Sequence, residues 1–267
     1  MKDALAVLCR PLISRIHAFR DLHKGESCYI FGDGFSLKWF DLGAFNDRIS
    51  LGCNFIPFHN DFNKLKIEYL SLQEPWWFLP FERTLYKTKK DILPNPRQSL
   101  YRQVVTDNPD KTFFINLSNY PMFRRSNIVY TFRHFYDAAL PEDFITRKIH
   151  AYHGSLRFLV TLAIYMGFRS CHLVGFDYTH VPSRSLHWYE KGEGSINPHD
   201  SYNRDFFDLV SEYMNVTTIT LDGGSEVLDA VTYKQYTGKE PVYRENTELL
   251  GPQYQKAMAA WPDYTIF

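Results

Sequence analysis

A glycine-flanked turn follows the short apolar run Cys28–Phe31 near the start of the chain. The turn consists of Gly32, Asp33, Gly34, Phe35 and Ser36. Ser36 can cap a following helix, which would place backbone N–H groups and a helix N-terminus at the carboxyl end of a strand. A parallel sheet commonly binds a phosphorylated ligand there, so the turn predicts a phosphate site. The alternative is a purely structural turn, because glycine also permits tight folding of the backbone.

Polar side chains follow two further apolar runs. Asn54 ends the segment Gly-Cys-Asn, and its amide can donate and accept hydrogen bonds at once, which suits a nucleobase edge or a ribose. Asp177 ends the segment Gly-Phe-Asp and is predicted to hold a ribose hydroxyl or orient a neighbouring group, with capping of the next turn as the structural alternative. Gly154 and Ser155 begin a helical pattern whose N-terminus could face a carboxylate or phosphate.

The segment at about 178–200 carries the candidate acid–base groups. It follows one strand pattern and precedes a helix pattern, so we expect it to cover the ligand edge of the sheet as a small lid. His199 is the predicted base, since an imidazole that titrates near neutral pH can take a proton from a hydroxyl nucleophile; a surface histidine is the alternative. Tyr178, His180 and Tyr189 could donate hydrogen bonds to a departing phosphate.

No pattern in the chain predicts a bound metal or cofactor. The histidines and aspartates of the 177–200 region lack a metal-ligand spacing such as H-E-x-x-H. The chain also has no D-x-D motif, no G-x-x-x-x-G-K-[ST] loop and no G-x-S-x-G elbow. We therefore expect neither a resident metal nor another cofactor.

Composition narrows the class of protein further. The chain has 267 residues, is 45% apolar and carries 30 basic and 30 acidic residues, so its net charge is zero. This balance argues against a general nucleic-acid binder. The four cysteines form no C-x-x-C pair and predict free thiols in a reducing compartment. With no apolar run of about 20 residues and no secretory signal, the expected location is cytoplasmic, with peripheral contact at the inner membrane.

Hydrophobic periodicity predicts an α/β fold, namely a Rossmann-like parallel sheet with helices on both faces plus a small lid. Residues 1–25 are interpreted as an N-terminal amphipathic helix that packs on the domain or lies on an anionic membrane. Residues 26–250 form the predicted nucleotide-sugar-binding domain, and 251–267 a C-terminal tail. Predicted strands are Cys28–Phe31, Ile49–Gly52, Tyr69–Leu72, Thr112–Leu117, Cys171–Gly175 and Thr217–Leu221. The clearest predicted helices are Ser155–Met166 and Tyr202–Met214.

The order of these motifs resembles the bacterial lipooligosaccharide sialyltransferases, glycosyltransferase family 42, and their wider relatives of the motility-accessory and pterin-diphosphokinase type. The likeness covers roughly residues 26–230. The Gly32–Leu37 segment stands where the family has Gly-Asn-Gly-Pro-Ser-Leu. Further matches, in order, are Cys53-Asn54, Ser118-Asn119-Tyr120, the helix Ser155–Gly167, Gly175-Phe176-Asp177 and His199.

The resemblance implies a metal-independent, inverting transfer of an acidic sugar from a CMP-activated donor to a hydroxyl of a surface glycan. The sugar would be sialic acid, a related nonulosonate or Kdo. His199 would deprotonate the acceptor, and Tyr178 or Tyr189 would assist the leaving phosphate. Nucleotide-sugar contacts would come from Gly32, Asp33, Gly34, Ser36, Asn54, Gln73, Ser118, Asn119, Gly154, Ser155 and Asp177. A homo-oligomer is a further expectation.

Several positions depart from the family pattern. Asp33 replaces Asn and would place a negative charge beside an anionic donor unless it faces away or bonds to a ribose hydroxyl. Phe35 replaces Pro, Tyr178-Thr179 stands for Phe-Tyr, and Gln73 lies roughly where the family has Asn. Two alternatives therefore stay open: an ATP- and Mg²⁺-dependent pterin diphosphokinase-like enzyme on the same fold, and a non-catalytic nucleotide-binding protein.

Overall fold

One parallel β-sheet organises the chain. The computed structural model describes residues 9–74, 77–83, 92–95, 97–133, 150–151, 154–197, 204–259, 261 and 265–267. In chain order the strands are β1 (Ser27–Phe31), β2 (Ser50–Cys53), β3 (Ile67–Leu72), β4 (Phe81–Arg83), β5 (Ile92–Pro94), β6 (Thr112–Asn116), β7 (Ile128–Arg133), β8 (His150–Ala151), β9 (Ser170–Val174), β10 (Ser183–Arg184), β11 (Ile196–Asn197), β12 (Asn215–Thr220) and β13 (Asp229–Thr232). Within these ranges, nine strands form the main sheet in the order β13-β12-β9-β1-β2-β3-β6-β7-β8. Two short antiparallel pairs, β4–β5 and β10–β11, lie outside it.

The strand order creates a switch point between β1 and β9. From β1 the chain builds outward through β2, β3, β6 and β7, and it then returns to pair β9 with the other side of β1. Loops on either side of such a point diverge, and a crevice forms at the carboxyl ends of the two strands. All six predicted strands are confirmed to within two residues at each end. The sequence reading missed β7, β8 and β13, which lie toward the two edges of the sheet.

Helices cover both faces of the sheet, as predicted. The chain forms α1 (Arg10–Ile13), α2 (Arg97–Asp107), α3 (Ser155–Tyr165), α4 (Arg204–Val210), α5 (Tyr233–Thr237), α6 (Asn246–Leu249) and α7 (Pro252–Met258). Buried side chains of α2 join one hydrophobic cluster, and those of α3 and α4 join the other. Successive residues of β1 alternate between the two clusters, with Tyr29 in the first and Ile30 in the second. This two-sided burial explains why the strand is apolar throughout. The predicted helix Tyr202–Met214 is described from residue 204 onward, and the observed helix ends at Val210.

The N-terminal segment differs from a continuous amphipathic helix in its described part. After α1 the chain tightens into a 3₁₀-helix, Ser14–Phe19, and then a series of turns. Ile13 and Ile16 are buried in opposite clusters, so the segment wraps around the edge of the sheet. Arg15 donates to the carbonyls of Ile128 and Ser126, both at 2.6 Å. From residue 9 onward the segment thus packs on the domain; residues 1–8 are outside the described part.

The C-terminal tail is part of the core rather than an appendage. Met258, Trp261 and Ile266 are each at most 2% exposed and join the cluster on the α2 face. Asn246, at the start of α6, is also buried and donates to the carbonyl of Ile266 at 2.9 Å. Burial of these apolar side chains and the hydrogen bond from Asn246 together hold the tail on the domain. Among the described residues, no helix is both long and apolar enough to cross a membrane.

Candidate functional site

The glycine turn is fixed by the neighbouring strand end. Gly32 donates its N–H to the Val174 carbonyl at 2.8 Å, and Gly34 donates to the Gly175 carbonyl at 2.7 Å. A Cβ on Gly34 would lie 2.6 Å from the Gly175 oxygen, and one on Gly32 would lie 2.5 Å from it. Close approach of the segment after β9 therefore explains both glycines without a ligand, which favours the structural alternative for the turn. The N–H groups of Gly32 and Gly34 are already bonded within the protein.

Asp177 caps the short helix that follows the turn. A 3₁₀-helix, Phe35–Lys38, begins directly after Gly34. The Ser36 N–H donates to Asp177 Oδ2 at 2.6 Å, and the Ser36 hydroxyl donates to Oδ1 at 2.5 Å. The carboxylate is 3% exposed. The structural alternative for Asp177 was that it caps the turn next to it in the chain. Instead, it caps the 3₁₀-helix that follows β1, because the carboxyl ends of β1 and β9 lie side by side.

The Asp33 side chain points into the protein and accepts hydrogen bonds from N–H groups of other segments. Its Oδ1 accepts from the Phe55 N–H at 3.2 Å and from the Trp188 indole N–H at 3.4 Å. The neighbouring Asn54 side chain also lowers the pKa of this carboxyl, which favours its ionised form. The carboxylate that departs from the family pattern thus serves as an internal acceptor between β1, β2 and the loop after β9.

Asn54 and Ser155 bring β2 and α3 together. Asn54 adopts a left-handed conformation with φ of 46°, and its Oδ1 accepts from the Ser155 hydroxyl at 3.3 Å. Gly154, with φ of 95°, stands immediately before α3 and is exposed. Its positive φ favours glycine, and a Cβ there would meet nothing within 4 Å. The predicted neighbours Asp33, Asn54 and Ser155 therefore meet at the carboxyl edge beside the β1–β9 switch point.

The electrostatics of this edge centre on Asp33 and His187. Burial raises the pKa of Asp33 from 3.8 to about 6, although the charge of His187 and the hydrogen-bond donors favour the ionised carboxylate. Burial also disfavours a charged His187, but a 2.7 Å hydrogen bond to Glu190 and the charge of Asp33 outweigh it and raise the pKa of this imidazole. A carboxyl and an imidazole with shifted pKa values close to each other are typical of functional sites.

Gln73, after the neighbouring strand β3, and Asn119, after β6, belong to a second polar cluster. Gln73 donates to the Phe114 carbonyl at 3.1 Å and accepts from the Thr131 hydroxyl at 2.8 Å. Asn119 is fully buried and donates to the Glu74 carbonyl at 3.0 Å. Both amides thus fasten the ends of β3, β6 and β7. Ser118 is exposed next to them. In the described part of the chain no hydrogen bond joins this cluster to Asn54.

The predicted lid is anchored rather than free. Its Gly34–His187 bridge places the loop over the glycine turn. Trp188 and Tyr189 are buried, with Tyr189 stacked on His187 and 4.3 Å from the Phe55 ring. Tyr178, by contrast, is 38% exposed. The predicted lid is thus joined to the glycine turn at His187, while the predicted base His199 lies outside the described residues.

Sequence reasoning missed two groups that shape the site. Trp188 stood inside the predicted lid but was given no role; a tryptophan in a polar loop is the signal that could have marked it as an anchor. Lys38 is fully buried and donates its Nζ to the Gly192 carbonyl at 2.7 Å, a contact with no signature in the sequence. Burial is the main cause that lowers the pKa of Lys38.

Among the described residues, neither a metal cluster nor the cleft that the structure shows coincides with the predicted site. Within the described ranges, no group of three or more His, Cys, Asp or Glu side chains could hold a metal ion. A cleft of about 400 Å³ lies at the opposite, amino edge of the sheet, bordered by α4 and the starts of β12 and β13. It contains none of the predicted site residues.

Several solved structures that are similar to this chain are sialyltransferases. CstII in complex with a trisaccharide acceptor and CMP is 12% identical over 90% of this chain and 100% of its own, with a TM-score of 0.47. CstII from Campylobacter jejuni in complex with CMP is 14% identical over 90% and 99%, with a TM-score of 0.44. The monofunctional α-2,3-sialyltransferase Cst-I from Campylobacter jejuni is 13% identical over 87% and 92%, also at 0.44. No protein-family model and no curated protein matches the chain. At these values the likeness by itself assigns no activity.

Proposed function

We propose that the chain is a glycosyltransferase that uses a CMP-activated acidic sugar. The observation that carries the proposal is the meeting of Asn54, Asp33 and Ser155 at the carboxyl edge of the β1–β9 switch point. That edge is the general ligand position of a doubly wound sheet, and an amide held in place there suits a nucleobase or ribose. The ordered motifs that resemble the sialyltransferases supply the identity of the nucleotide.

The donor site is centred on Asn54 and the N-terminus of α3 rather than on the glycine turn. Hydrogen bonds to other parts of the protein already use the N–H groups of Gly32, Gly34 and Ser36. The first turn of α3 carries no acidic residue, so its N-terminus can face an anion. Asp33 faces inward, which removes the expected repulsion of an anionic donor.

In the proposed reaction His199 takes the proton of the acceptor hydroxyl. The acceptor oxygen then forms a bond to the anomeric carbon as the bond to the phosphate breaks, and CMP leaves with inversion at that carbon. Of the two candidate tyrosines, Tyr178 has the exposure that contact with the leaving phosphate requires, whereas Tyr189 is 1% exposed. A surface glycan as acceptor, contact with the inner membrane and self-association remain predictions from the sequence.

Donor turnover tests the proposal directly. Purified full-length chain is incubated with CMP-sialic acid, another CMP-nonulosonate or CMP-Kdo, and release of CMP is followed with and without EDTA. We expect release that is insensitive to EDTA and is lost in His199→Ala. His17→Ala is the matched control, since His17 contacts Tyr165 at the far end of α3.

Three outcomes would contradict parts of this proposal. Equal turnover by the native chain and His199→Ala would remove His199 as the base. A thermal shift with ATP and Mg²⁺ but none with CMP would favour the diphosphokinase-like alternative, because a ligand that binds the folded state raises its melting temperature. No shift with any nucleotide would contradict nucleotide binding altogether.

A further inference from the structure

We propose that the loop 120–126, between β6 and β7, docks on an anionic membrane. The docking surface consists of four arginines, Arg15, Arg102, Arg124 and Arg125, and of Met122 in the same loop. It gives a specific place to the membrane contact that the sequence predicts. Its use in reaching a lipid-linked acceptor rests on the proposed function, whereas binding to lipid can be measured without any transfer reaction.

Two of the arginines reach the loop from other elements. Arg15 lies on the 3₁₀-helix of the N-terminal segment and donates to the carbonyls of Ser126 and Ile128. Arg102 lies on α2 and donates to the Met122 carbonyl at 2.5 Å. Both guanidiniums are therefore fixed against the backbone between β6 and β7, although their residues are far apart in the chain.

The other two arginines belong to the loop itself, and both are exposed. Arg124 donates its Nε–H to the Tyr120 carbonyl at 3.1 Å, with its Cζ 4.3 Å from the centre of the Tyr120 ring. Arg125 donates to the Thr106 hydroxyl of α2 at 3.0 Å. Among the described residues, none of the four guanidiniums forms an ion pair with a carboxylate. Because their partners are neutral, the docking surface keeps its positive charge.

The core holds this loop in place. Phe123 is buried, and its ring stacks on Phe78 with the ring centres 5.0 Å apart. The Tyr130 hydroxyl donates to the Phe123 carbonyl at 2.5 Å. Met122, directly before this anchor, is 41% exposed. A surface that is already ordered loses little conformational entropy when it binds, so the arginines can act together.

Charge is distributed unevenly across the sheet. The whole chain has a net charge of zero, and the docking surface lies beside β7, near one edge of the sheet. At the opposite edge, Asp208, Glu226 and Asp229 border the cleft next to β12 and β13. Such a distribution should turn the β7 side toward a negatively charged surface and the β13 side away from it.

The side chains of the loop favour a membrane over a nucleic acid. Pro121 and Met122 are exposed beside the arginines, and apolar groups flanked by guanidiniums suit the boundary between headgroups and acyl chains. Proteins that bind single-stranded nucleic acids stack the bases on exposed aromatic rings. Here Phe123 is buried, and Tyr120 is half-buried beneath Arg124.

The position of the loop also suits a membrane-bound acceptor. The loop follows the 3₁₀-helix Leu117–Asn119, which begins at the carboxyl end of β6. A membrane docked on the loop would therefore lie beside the edge of the sheet that carries the proposed donor site.

Vesicle binding tests the proposal. Full-length chain is sedimented with vesicles of phosphatidylcholine alone or of phosphatidylcholine mixed with phosphatidylglycerol. We expect binding to the anionic vesicles only, and weaker binding at high salt because ions screen the attraction. An arginine near an anionic surface contributes about fivefold to affinity, so Arg124→Gln combined with Arg125→Gln should weaken binding about 25-fold.

Two control variants match these changes. Arg169→Gln combined with Arg204→Gln removes the same charge from exposed positions before β9 and at the start of α4, and should weaken binding much less. Met122→Ser should also weaken binding, whereas Val242→Ser should not, although Val242 is 65% exposed. All these side chains lie at the surface, so the melting temperatures of the variants should stay close to that of the native chain.

Three outcomes would overturn the proposal. The first is equal binding to neutral and anionic vesicles, and the second is equal weakening by the two double arginine variants. The third is binding to single-stranded RNA that depends on Arg124 and Arg125 without binding to anionic vesicles, which would assign the surface to nucleic acid. If the native chain releases no CMP from any donor, the proposed function fails while vesicle binding still decides whether the loop docks on lipid.

Discussion

Ionised Asp33 should destabilise the folded chain, and Asp33→Asn isolates this effect. Burial raises the pKa of Asp33 from 3.8 to about 6, and each tenfold change in proton affinity is worth about 1.4 kcal/mol, so the ionised form lowers the free energy of unfolding by about 3 kcal/mol. Because the folded state binds the proton more tightly than the unfolded state, stability from this group rises as pH falls. The change begins near the folded pKa of about 6 and is complete below the unfolded pKa of 3.8.

Urea unfolding at a series of pH values measures this difference. Between about pH 7.5 and about pH 4.5, the native chain should gain about 2 kcal/mol relative to Asp33→Asn. Any part of the difference that is constant with pH reports altered hydrogen bonds to Phe55 and Trp188. Taking the difference between the native chain and the variant cancels the pH dependence that comes from the other titrating groups. The native curve alone would contain all of these contributions.

Asp41→Asn is the control with the opposite sign. A hydrogen bond from Lys239 is the main cause that lowers the pKa of Asp41, and the Gly43 N–H adds to it. The native chain should therefore exceed Asp41→Asn in stability above the ordinary pKa of an aspartate and lose that advantage as pH falls through the lowered value. A native-minus-Asp33→Asn difference that stayed flat from pH 7.5 to 4.5 would refute the buried-carboxylate reasoning, provided that the Asp41 control responded below its ordinary pKa of 3.8.

Three further substitutions probe the same edge. Gly34→Ala should lower the melting temperature sharply, since its Cβ would lie 2.6 Å from a backbone oxygen, whereas Gly224→Ala, with nothing within 4 Å, should change it little; similar melting temperatures would contradict the close approach. Asp177→Asn should reduce the unfolding free energy by about 2 kcal/mol, because two hydrogen bonds from Ser36 to a charged acceptor are weakened; denaturant titration checks this, and a neutral result would argue against capping. Gln73→Leu should cost about 1–3 kcal/mol by the same measurement, because the buried Thr131 hydroxyl loses its shorter hydrogen bond and the Phe114 carbonyl loses a donor, and a more stable variant would show that the amide is not structural.

Local patterns predicted most of the sheet correctly. The six predicted strands are apolar runs bounded by glycine or polar residues, and burial on both faces requires such runs. The edge strand Asp229–Thr232 was missed because it is mostly exposed or half-buried and has little apolar signal. The two-residue strand His150–Ala151 is too short to show any periodicity.

The sequence placed several candidate residues at one edge of the sheet but did not predict their contacts. That Asp33, Asn54 and Ser155 share one edge follows from parallel strands, whose carboxyl ends meet. That Asp177 binds Ser36, or that Asp33 faces Trp188, depends on side-chain directions that spacing does not encode. Gln73 and Asn119 were grouped with the ligand residues by resemblance, and the structure shows internal hydrogen bonds for both instead.

The sequence by itself determined the α/β class, the positions of the central strands along the chain and the polar residues at their carboxyl ends. These features depend on neighbours along the chain, namely the period of apolar residues and the backbone freedom of glycine. Only the tertiary structure decided that the turn after β1 is packed against the segment after β9, that the loop over it is anchored by Trp188, and that the C-terminal tail completes the core. Those outcomes depend on distances between segments far apart in the chain, where close packing and the need to pair buried polar groups select one arrangement.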